Sequence, residues 1–267
     1  MKQDNDDYIE VNRLAWNKKL DIHIESEFYD LDGFVSGNDS LNSIELDLLG
    51  DISNKSILHL QCHFGQDSLS MSRRGAKVTG MDLSDKSIAF AKDLASRLSL
   101  DTRFVCCDLY ELPKHLDGTF DIVFTSYGTI GWLPDLNKWA EVISKFMHKG
   151  SRFVMAEFHP FVWMYDDNFE NVSYNYFKDE PIIESSTSYA DKEAVISHKL
   201  ISWNHCLSET IGSLLENDLE LLQFKEYDYS PYDCLNGMIK IDERKYRIKK
   251  FGNKLPLVYA LEMIKSL

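Results

Sequence analysis

Between Ser56 and Ala156 one unit recurs along the chain: a short apolar run, a break at glycine or aspartate, then an amphipathic stretch. Ser56 to Gln61 is apolar and breaks at Gly65, and Gln66 to Arg74 then has helical periodicity up to Gly75. Ala76 to Met81 is a second run ending in Asp82, with Ser84 at the N-cap position ahead of the helical run Ile88 to Leu98. Arg103 to Cys107 ends in Asp108, Phe120 to Thr125 is a fourth run, Asn137 to Met147 reads as a helix closed by Gly150, and Ser151 to Ala156 is a fifth run. Short strands alternating with helices specify a parallel sheet covered on both faces, because each parallel crossover needs a covering helix. Ligands of such sheets bind beyond the carboxyl ends of the strands. Gln61 to Gly65, Asp82, Asp108, Ser126 to Gly128 and Glu157 to Pro160 are therefore expected to share one rim.

The remainder of the 267 residues arranges itself around that unit. Residues 1–45 read as a helical arm ending in the aromatics Phe28, Tyr29 and Phe34, and 46–157 as the ligand-binding core. Residues 158–205 carry a dense set of rings, Trp163, Tyr165 and Phe169 among them, and strand-like runs such as Val195 to Trp203. So long and apolar a segment is expected to be a lid rather than a plain loop. In 206–267, Ser208 to Asn217 reads as a helix, and Leu221 to Tyr229 and Leu255 to Lys265 as two closing strands that make an antiparallel pair at the sheet edge. With 29 Lys and Arg against 43 Asp and Glu the net charge is −14. That balance argues against broad contact with nucleic-acid phosphate or anionic lipid, both of which need a concentrated basic face. The basic stretch Arg244 to Lys250 is expected to be a solvated strand or loop. Five cysteines, two of them adjacent, are a poor disulfide framework, and no apolar run reaches the length of a membrane span. The expected setting is cytoplasmic, with a monomer and a homodimer both open.

A nucleoside cofactor would be held by the loop after the first strand. Asp82 lies 17 residues beyond Gly65, close to the spacing at which an acid meets ribose hydroxyls, and Asp108 is placed to meet an adenine amine. Each also suits a simple turn or cap. The ordered series Ile57 to Gly65, Val78 to Asp82, Phe104 to Asp108, Phe120 to Phe124 and Phe153 to Glu157 resembles the motifs of class I S-adenosylmethionine-dependent methyltransferases. More narrowly, His59-Leu-Gln-Cys-His-Phe-Gly-Gln66, Thr125 to Gly128, Trp132 to Asp135 and Glu157 to Pro160 resemble a bacterial subgroup of that family. The resemblance implies a doubly wound, seven-stranded, mostly parallel Rossmann-like sheet, S-adenosylmethionine as cofactor and S-adenosylhomocysteine as product. It implies cofactor contacts from Gln61, Cys62, His63 and Gly65, from Asp82 and Leu83, from Cys107, Asp108 and Leu109, and from Ser126.

The family's first loop is Asp-x-Gly-x-Gly-x-Gly, and here those positions hold His59, Gln61, His63 and Gly65. Lost glycines restrict close backbone approach, so either Gln61 and His63 contribute side-chain contacts instead or the cofactor is held weakly. A dinucleotide is disfavoured by the same loop, because a pyrophosphate needs the second glycine. His59, Cys62 and His63 do not make a metal site, since neighbours on a strand face opposite ways and no spaced second pair completes a ligand set. On the acceptor side Tyr127, Glu157, His159 and Trp163 are expected to touch substrate, with Tyr127 and His159 as catalytic candidates and His159 as general base. The reading is methyl transfer to an oxygen or nitrogen of a small molecule. Two alternatives stand beside it: a non-catalytic protein binding the cofactor or its product, and an RNA or protein methyltransferase. The chain has no Pro-Cys nucleophile and no Asn/Asp-Pro-Pro-Tyr after the fourth strand, as nucleic-acid modifiers would show.

Overall fold

The computed structural model describes residues 7–186, 190 and 198–266. The first three residues of the strand expected at Val195 to Trp203 lie outside the described residues, as do residues 1–6 of the acidic N-terminus. Helices α1 (Asp7–Glu25), α2 (Leu31–Val35) and α3 (Ser43–Leu49) precede β1 (Ser56–His59). There follow α4 (Gln66–Arg73), β2 (Lys77–Asp82), α5 (Asp85–Arg97), β3 (Arg103–Cys106), β4 (Phe120–Ser126), α6 (Leu136–Lys145) and β5 (Met147–Phe158). The rest comprises β6 (Ile182–Ser186), β7 (His198–Ser202), α7 (Leu207–Leu215), β8 (Leu219–Tyr227), β9 (Met238–Asp242), β10 (Lys245–Ile248) and β11 (Val258–Lys265).

Seven strands form one sheet in the order β3-β2-β1-β4-β5-β11-β8. The first five are mutually parallel, and β11 inserts between β5 and β8, antiparallel to both. This is the doubly wound, mostly parallel architecture expected from the alternation. Successive residues of a strand face opposite ways, and the core obeys that rule. Leu58, Val123 and Phe153 join one apolar cluster with Trp139 and Ile143 of α6. Their neighbours Ile57, Ile122 and Val154 join another with Ile44 and Leu48 of α3. The hydroxyl of Ser84 accepts the Ser87 N–H at 3.1 Å and starts α5, whose Ile88, Ala91, Leu94 and Ala95 are buried. The helix expected to reach Met147 ends at Lys145, because the Phe146 carbonyl accepts the Phe120 N–H at 2.9 Å and Met147 already opens β5.

Strand order reverses between β1 and β4, so the chain crosses over in opposite directions from this pair and leaves a crevice at their carboxyl ends. Two small hairpins lie outside the sheet, β6 with β7 and β9 with β10. The basic stretch expected to be solvated is instead tied down. Arg244 donates to the carbonyls of Leu41 at 3.0 Å and Asp39 at 2.9 Å, Arg247 pairs with Asp228, and Lys250 donates to the Phe169 carbonyl at 2.7 Å. Among the described residues no helix is long and apolar enough to cross a membrane.

Candidate functional site

A cavity of about 950 Å³ opens over the crevice, reached by residues that follow β1, β2, β3, β4 and β5. Its floor is the loop after β1. Gln61 and His63 both have φ of +52° and Gly65 has φ of +86°. The first two therefore hold a left-handed backbone that glycine would adopt freely, at a cost of roughly 1–2 kcal/mol each. Their side chains hold that shape. Gln61 Nε2 donates to the Thr129 carbonyl at 2.9 Å, linking the loop to the turn after β4, while its Oε1 is buried without a hydrogen-bond partner. His63 Nε2 lies 2.7 Å from Nδ1 of His23 on α1. A Cβ at Gly65 would fall 2.9 Å from the Phe104 ring and 3.0 Å from the Ala91 methyl, so this glycine also serves close packing below the loop.

Asp82 ends β2 beside this floor. Its Oδ2 accepts the His63 N–H at 2.8 Å and its Oδ1 accepts the Ser84 N–H at 2.8 Å, which fixes the carboxylate at the cavity wall. Burial pushes Asp82 up to about 6, against the pull of those N–H groups. Asp108 lines the same cavity after β3 and accepts the Tyr110 N–H at 2.9 Å, capping a short 3-10 turn.

Helix α1 supplies one side of the cavity. Tyr8, Asn12, Trp16 and Lys19 line it, and His23 follows on the same face and is fully buried. Asn12 exchanges two hydrogen bonds with the backbone of Ile201 in β7, Asn17 accepts from Ser84 and donates to Asp85, and the Trp16 ring meets the Trp132 and His63 rings edge-on at 5.4 and 5.3 Å. The Lys19 ammonium stands 5.0 Å from the Trp16 ring centre, and burial lowers the Lys19 amine to about 8. Burial, and then the Lys19 charge, lowers His23 to about 3, so the His23–His63 pair is a bond between two neutral imidazoles.

At the far end a run of rings continues along the wall. Phe28 stacks on Tyr232 at 5.5 Å, Tyr232 meets Tyr127 at 5.2 Å, Tyr127 meets Phe158 at 5.7 Å, and Phe158 meets Trp163 at 5.6 Å. The Tyr127 hydroxyl donates to Oε2 of Glu45 at 2.8 Å, and Asn42 holds Oε1 of the same carboxylate through both its backbone and its side chain.

Compared with known proteins, residues 57–150 match the family described as methyltransferase domain. Residues 57–150 are a methyltransferase domain. A ubiquinone biosynthesis O-methyltransferase of Chromobacterium violaceum is 29% identical over 124 residues, 45% of this chain and 50% of that protein. One of the same description from Nitrosomonas europaea is 46% identical over 81 residues, 29% of this chain and 34% of that protein. The chain thus spans about half or less of the curated relatives it matches. Among solved structures, geranyl diphosphate C-methyltransferase from Streptomyces coelicolor A3(2), with Mg2+, geranyl-S-thiolodiphosphate and S-adenosyl-L-homocysteine, superposes with TM-score 0.64 at 14% identity, covering 98% of this chain and 99% of that one. An S-adenosylmethionine dependent methyltransferase from Mesorhizobium loti superposes at 0.58 with 17% identity, covering 86% and 99%. At these identities the likeness is one of fold.

Around this methyltransferase domain, Gln61, Cys62, His63, Gly65, Asp82, Leu83, Asp108, Leu109 and Ser126 all line the cavity, as do Tyr127, Glu157 and Trp163. Two expected contacts do not. Cys107 points into the apolar cluster that contains Leu109 and Leu112, because its strand-end position faces the helices rather than the crevice. His159 lies outside the lining, with Nε2 3.0 Å from Glu226 Oε1 and Nδ1 accepting the Phe161 N–H at 3.1 Å, so neither nitrogen is turned to the cavity and the general-base assignment is withdrawn. Glu157 reaches the lining, but its oxygens accept the N–H groups of Gly128, Thr129, Ile130 and Phe158 and the Thr129 hydroxyl. It is an anchor for the turn after β4 rather than a substrate contact. Tyr127 keeps its ring on the cavity while its hydroxyl is turned to Glu45, and burial and the Glu45 charge raise the phenol far above the ordinary range. His59, in the position of the family's aspartate, is 2% exposed, bonds Ser68 at 2.8 Å and is lowered to about 3 by burial. Its loop neighbour Cys62 turns Sγ to the His63 carbonyl at 3.8 Å.

Sequence reasoning missed Lys19, Asp67 and Tyr232, all in the lining. A signal existed for the first. Tyr8, Asn12, Trp16, Lys19 and His23 recur at helical spacing, and a stripe that mixes rings with amide, amine and imidazole faces a polar site rather than an apolar core.

Proposed function

We propose that this chain uses S-adenosylmethionine to methylate an oxygen or nitrogen of a small molecule. The carrying observation is the set of groups at the crevice: the Asp82 carboxylate fixed by two N–H groups, Asp108 one strand over, and Gln61 Oε1, a buried acceptor without a protein partner. Those groups fit the cofactor. Asp82 would accept the two ribose hydroxyls, Gln61 Oε1 would accept from the amino group, and the Lys19 ammonium would pair with the carboxylate. The relatives and fold neighbours named as methyltransferases support the same reading. A cavity of about 950 Å³ is at the upper end of ligand clefts, roughly 300–1,000 Å³, which leaves room for an acceptor beside a nucleoside.

The bound cofactor supplies an already activated sulfonium methyl. What remains for the chain is to hold an acceptor in line and to exclude water. The rings of Phe28, Tyr127, Phe158, Trp163 and Tyr232 form an apolar wall suited to both tasks. A protein of −14 net charge whose cavity carries many carboxylates is a poor partner for RNA phosphate, so a small-molecule acceptor is favoured over a nucleic acid. The test is calorimetric titration with S-adenosylmethionine and S-adenosylhomocysteine, alongside Asp82→Ala. Saturable binding lost in the variant is the expected result; absence of binding to both by the folded wild type would sink the reading.

A further inference from the structure

We propose that the acceptor is an organic cation, an amine carried as its ammonium at neutral pH, held by the run of rings Phe28, Tyr232, Tyr127, Phe158 and Trp163 with the Asp67 carboxylate beside it. This rests on the methyltransferase reading and narrows it.

Three observations carry the inference. The rings are not scattered core residues: each touches the next at 5.2 to 5.7 Å, and all line the cavity. An ammonium that meets the face of an aromatic ring gains roughly 0.5–2 kcal/mol from it, and a cavity bordered by five rings offers several such positions. Asp67, in the first turn of α4, also lines the cavity and accepts from the Ser126 hydroxyl at 3.4 Å, so a carboxylate stands where β4 ends and the rings begin. Its charge is felt by both Tyr127 and Tyr232, whose phenols it helps to raise.

The cations of the lining point the same way. They are Lys19 and Arg244. Arg244 softens the Asp67 charge, but its guanidinium donates to the carbonyls of Leu41 and Asp39 and to Asn42 Oδ1, so it offers no fork to a carboxylate or phosphate on an acceptor. Lys19 stands with Trp16 and Trp132, at the α1 side. Asp67, Asp166, Asp167 and Asp233 line the cavity as well. An anionic acceptor would meet carboxylates without a cationic receptor, whereas an ammonium meets rings and a countercharge. In the transfer the ammonium nitrogen first gives one proton to Asp67 or to water. Its freed lone pair then forms the new N–CH3 bond while the C–S bond breaks with its electron pair retained by sulfur, so the positive charge passes to nitrogen and the products are the N-methylated ammonium and S-adenosylhomocysteine.

The experiment compares choline with 3,3-dimethylbutan-1-ol, its neutral isostere, by titration of the full chain saturated with S-adenosylhomocysteine. Choline is expected to bind at least tenfold more tightly. Asp67→Asn is expected to lose most of that preference, and Trp163→Leu, at a ring 40% exposed and so tolerant of replacement, to weaken choline several-fold with unchanged thermal unfolding. Equal binding of the two probes, or preference for the alcohol, overturns the inference. If S-adenosylhomocysteine binds and the probes are not distinguished, the acceptor class fails and the methyltransferase reading stands. If S-adenosylhomocysteine does not bind, the probes are titrated alone. A choline preference then keeps the cation site while the methyltransferase reading falls, and no preference removes both.

Discussion

At the scale of single residues, the positions that carry chemistry are those where a buried polar group has been left facing the crevice. Asp82 is the clearest. Its folded value near 6 means that the carboxylate is ionised above that pH and protonated below it. Ribose hydroxyls donate to the ionised form, so affinity for S-adenosylhomocysteine is expected to fall as pH drops through 6, by up to about tenfold per unit. Calorimetry between pH 5 and 7.5 reads this directly. Asp82→Asn should bind weakly with a flat profile, and a wild-type profile equally flat would show that the carboxylate does not contact the ligand. Glu157 is the opposite case, a carboxylate spent on the fold. With four backbone N–H groups aimed at it, Glu157→Gln sets an amide NH2 against donors that then lack an acceptor. A loss of about 2–4 kcal/mol in urea unfolding is expected, and a loss under 1 kcal/mol would mean that the turn re-forms its bonds elsewhere.

At the scale of elements, α1 closes one side of the cavity through polar bonds to three other elements. It bonds β7 through Asn12, the α5 N-terminus through Asn17 and Arg13, and the β1 loop through His23. The His23–His63 bond joins a helix to a loop in a left-handed backbone, so the strain at His63 is offset by a contact made 40 residues away. His63→Ala keeps a side chain at φ of +52° and removes that contact. It is expected to destabilise the protein by about 1–2 kcal/mol and to speed amide exchange in α1 more than in α6. Uniform exchange in both helices would show that α1 does not depend on this bond. The left-handed loop is also where the sequence was hardest to read. Gln61 and His63 stand where the resembled motif has glycines, and both hold a left-handed backbone with their side chains as its struts. Periodicity cannot show this, because a strut is visible only once its far end is placed.

At the scale of the whole molecule, buried histidines and buried carboxylates pull stability in opposite directions with pH. His23 and His59 are lowered to about 3 and burial holds His63 well below the ordinary imidazole range, so each takes up a proton on unfolding once the pH is below about 6.5. Stability from these groups is present at neutral pH and is lost as pH falls. Glu45 and Asp82 are raised to about 6, so they release protons on unfolding between about 4 and 6, and their contribution is lost as pH rises through that window. Three imidazoles against two carboxylates leave a net uptake of one proton on unfolding from pH 4 to 6, a loss of about 1.4 kcal/mol per pH unit as pH falls. Below 4 these two carboxylates no longer offset the histidines, and three groups give a slope of about 4 kcal/mol per pH unit. Urea unfolding at pH 3.5, 4, 5 and 6 is expected to show a shallow loss down to 4 and a steeper one below it. A slope that does not steepen below 4 would mean that the imidazoles are already charged in the folded state.

The sequence alone determined the alternation of strand and helix, the parallel sheet with its antiparallel closing pair, the Ser84 cap and the rim on which Asp82, Asp108 and Ser126 sit. These depend on local periodicity and on turn chemistry, which are written in consecutive residues. Only the tertiary structure decided which rim residues face the cavity and which are consumed by the fold. His159 went to Glu226, Glu157 to the turn after β4 and Tyr127 to Glu45, while Lys19, Asp67 and Tyr232 joined the cavity from three separate stretches of the chain. The physical reason is that a polar side chain acts according to its partner. Gln61 finds its partner 68 residues away and Tyr127 finds its own 82 residues away, distances over which packing, and not local pattern, sets the pairing.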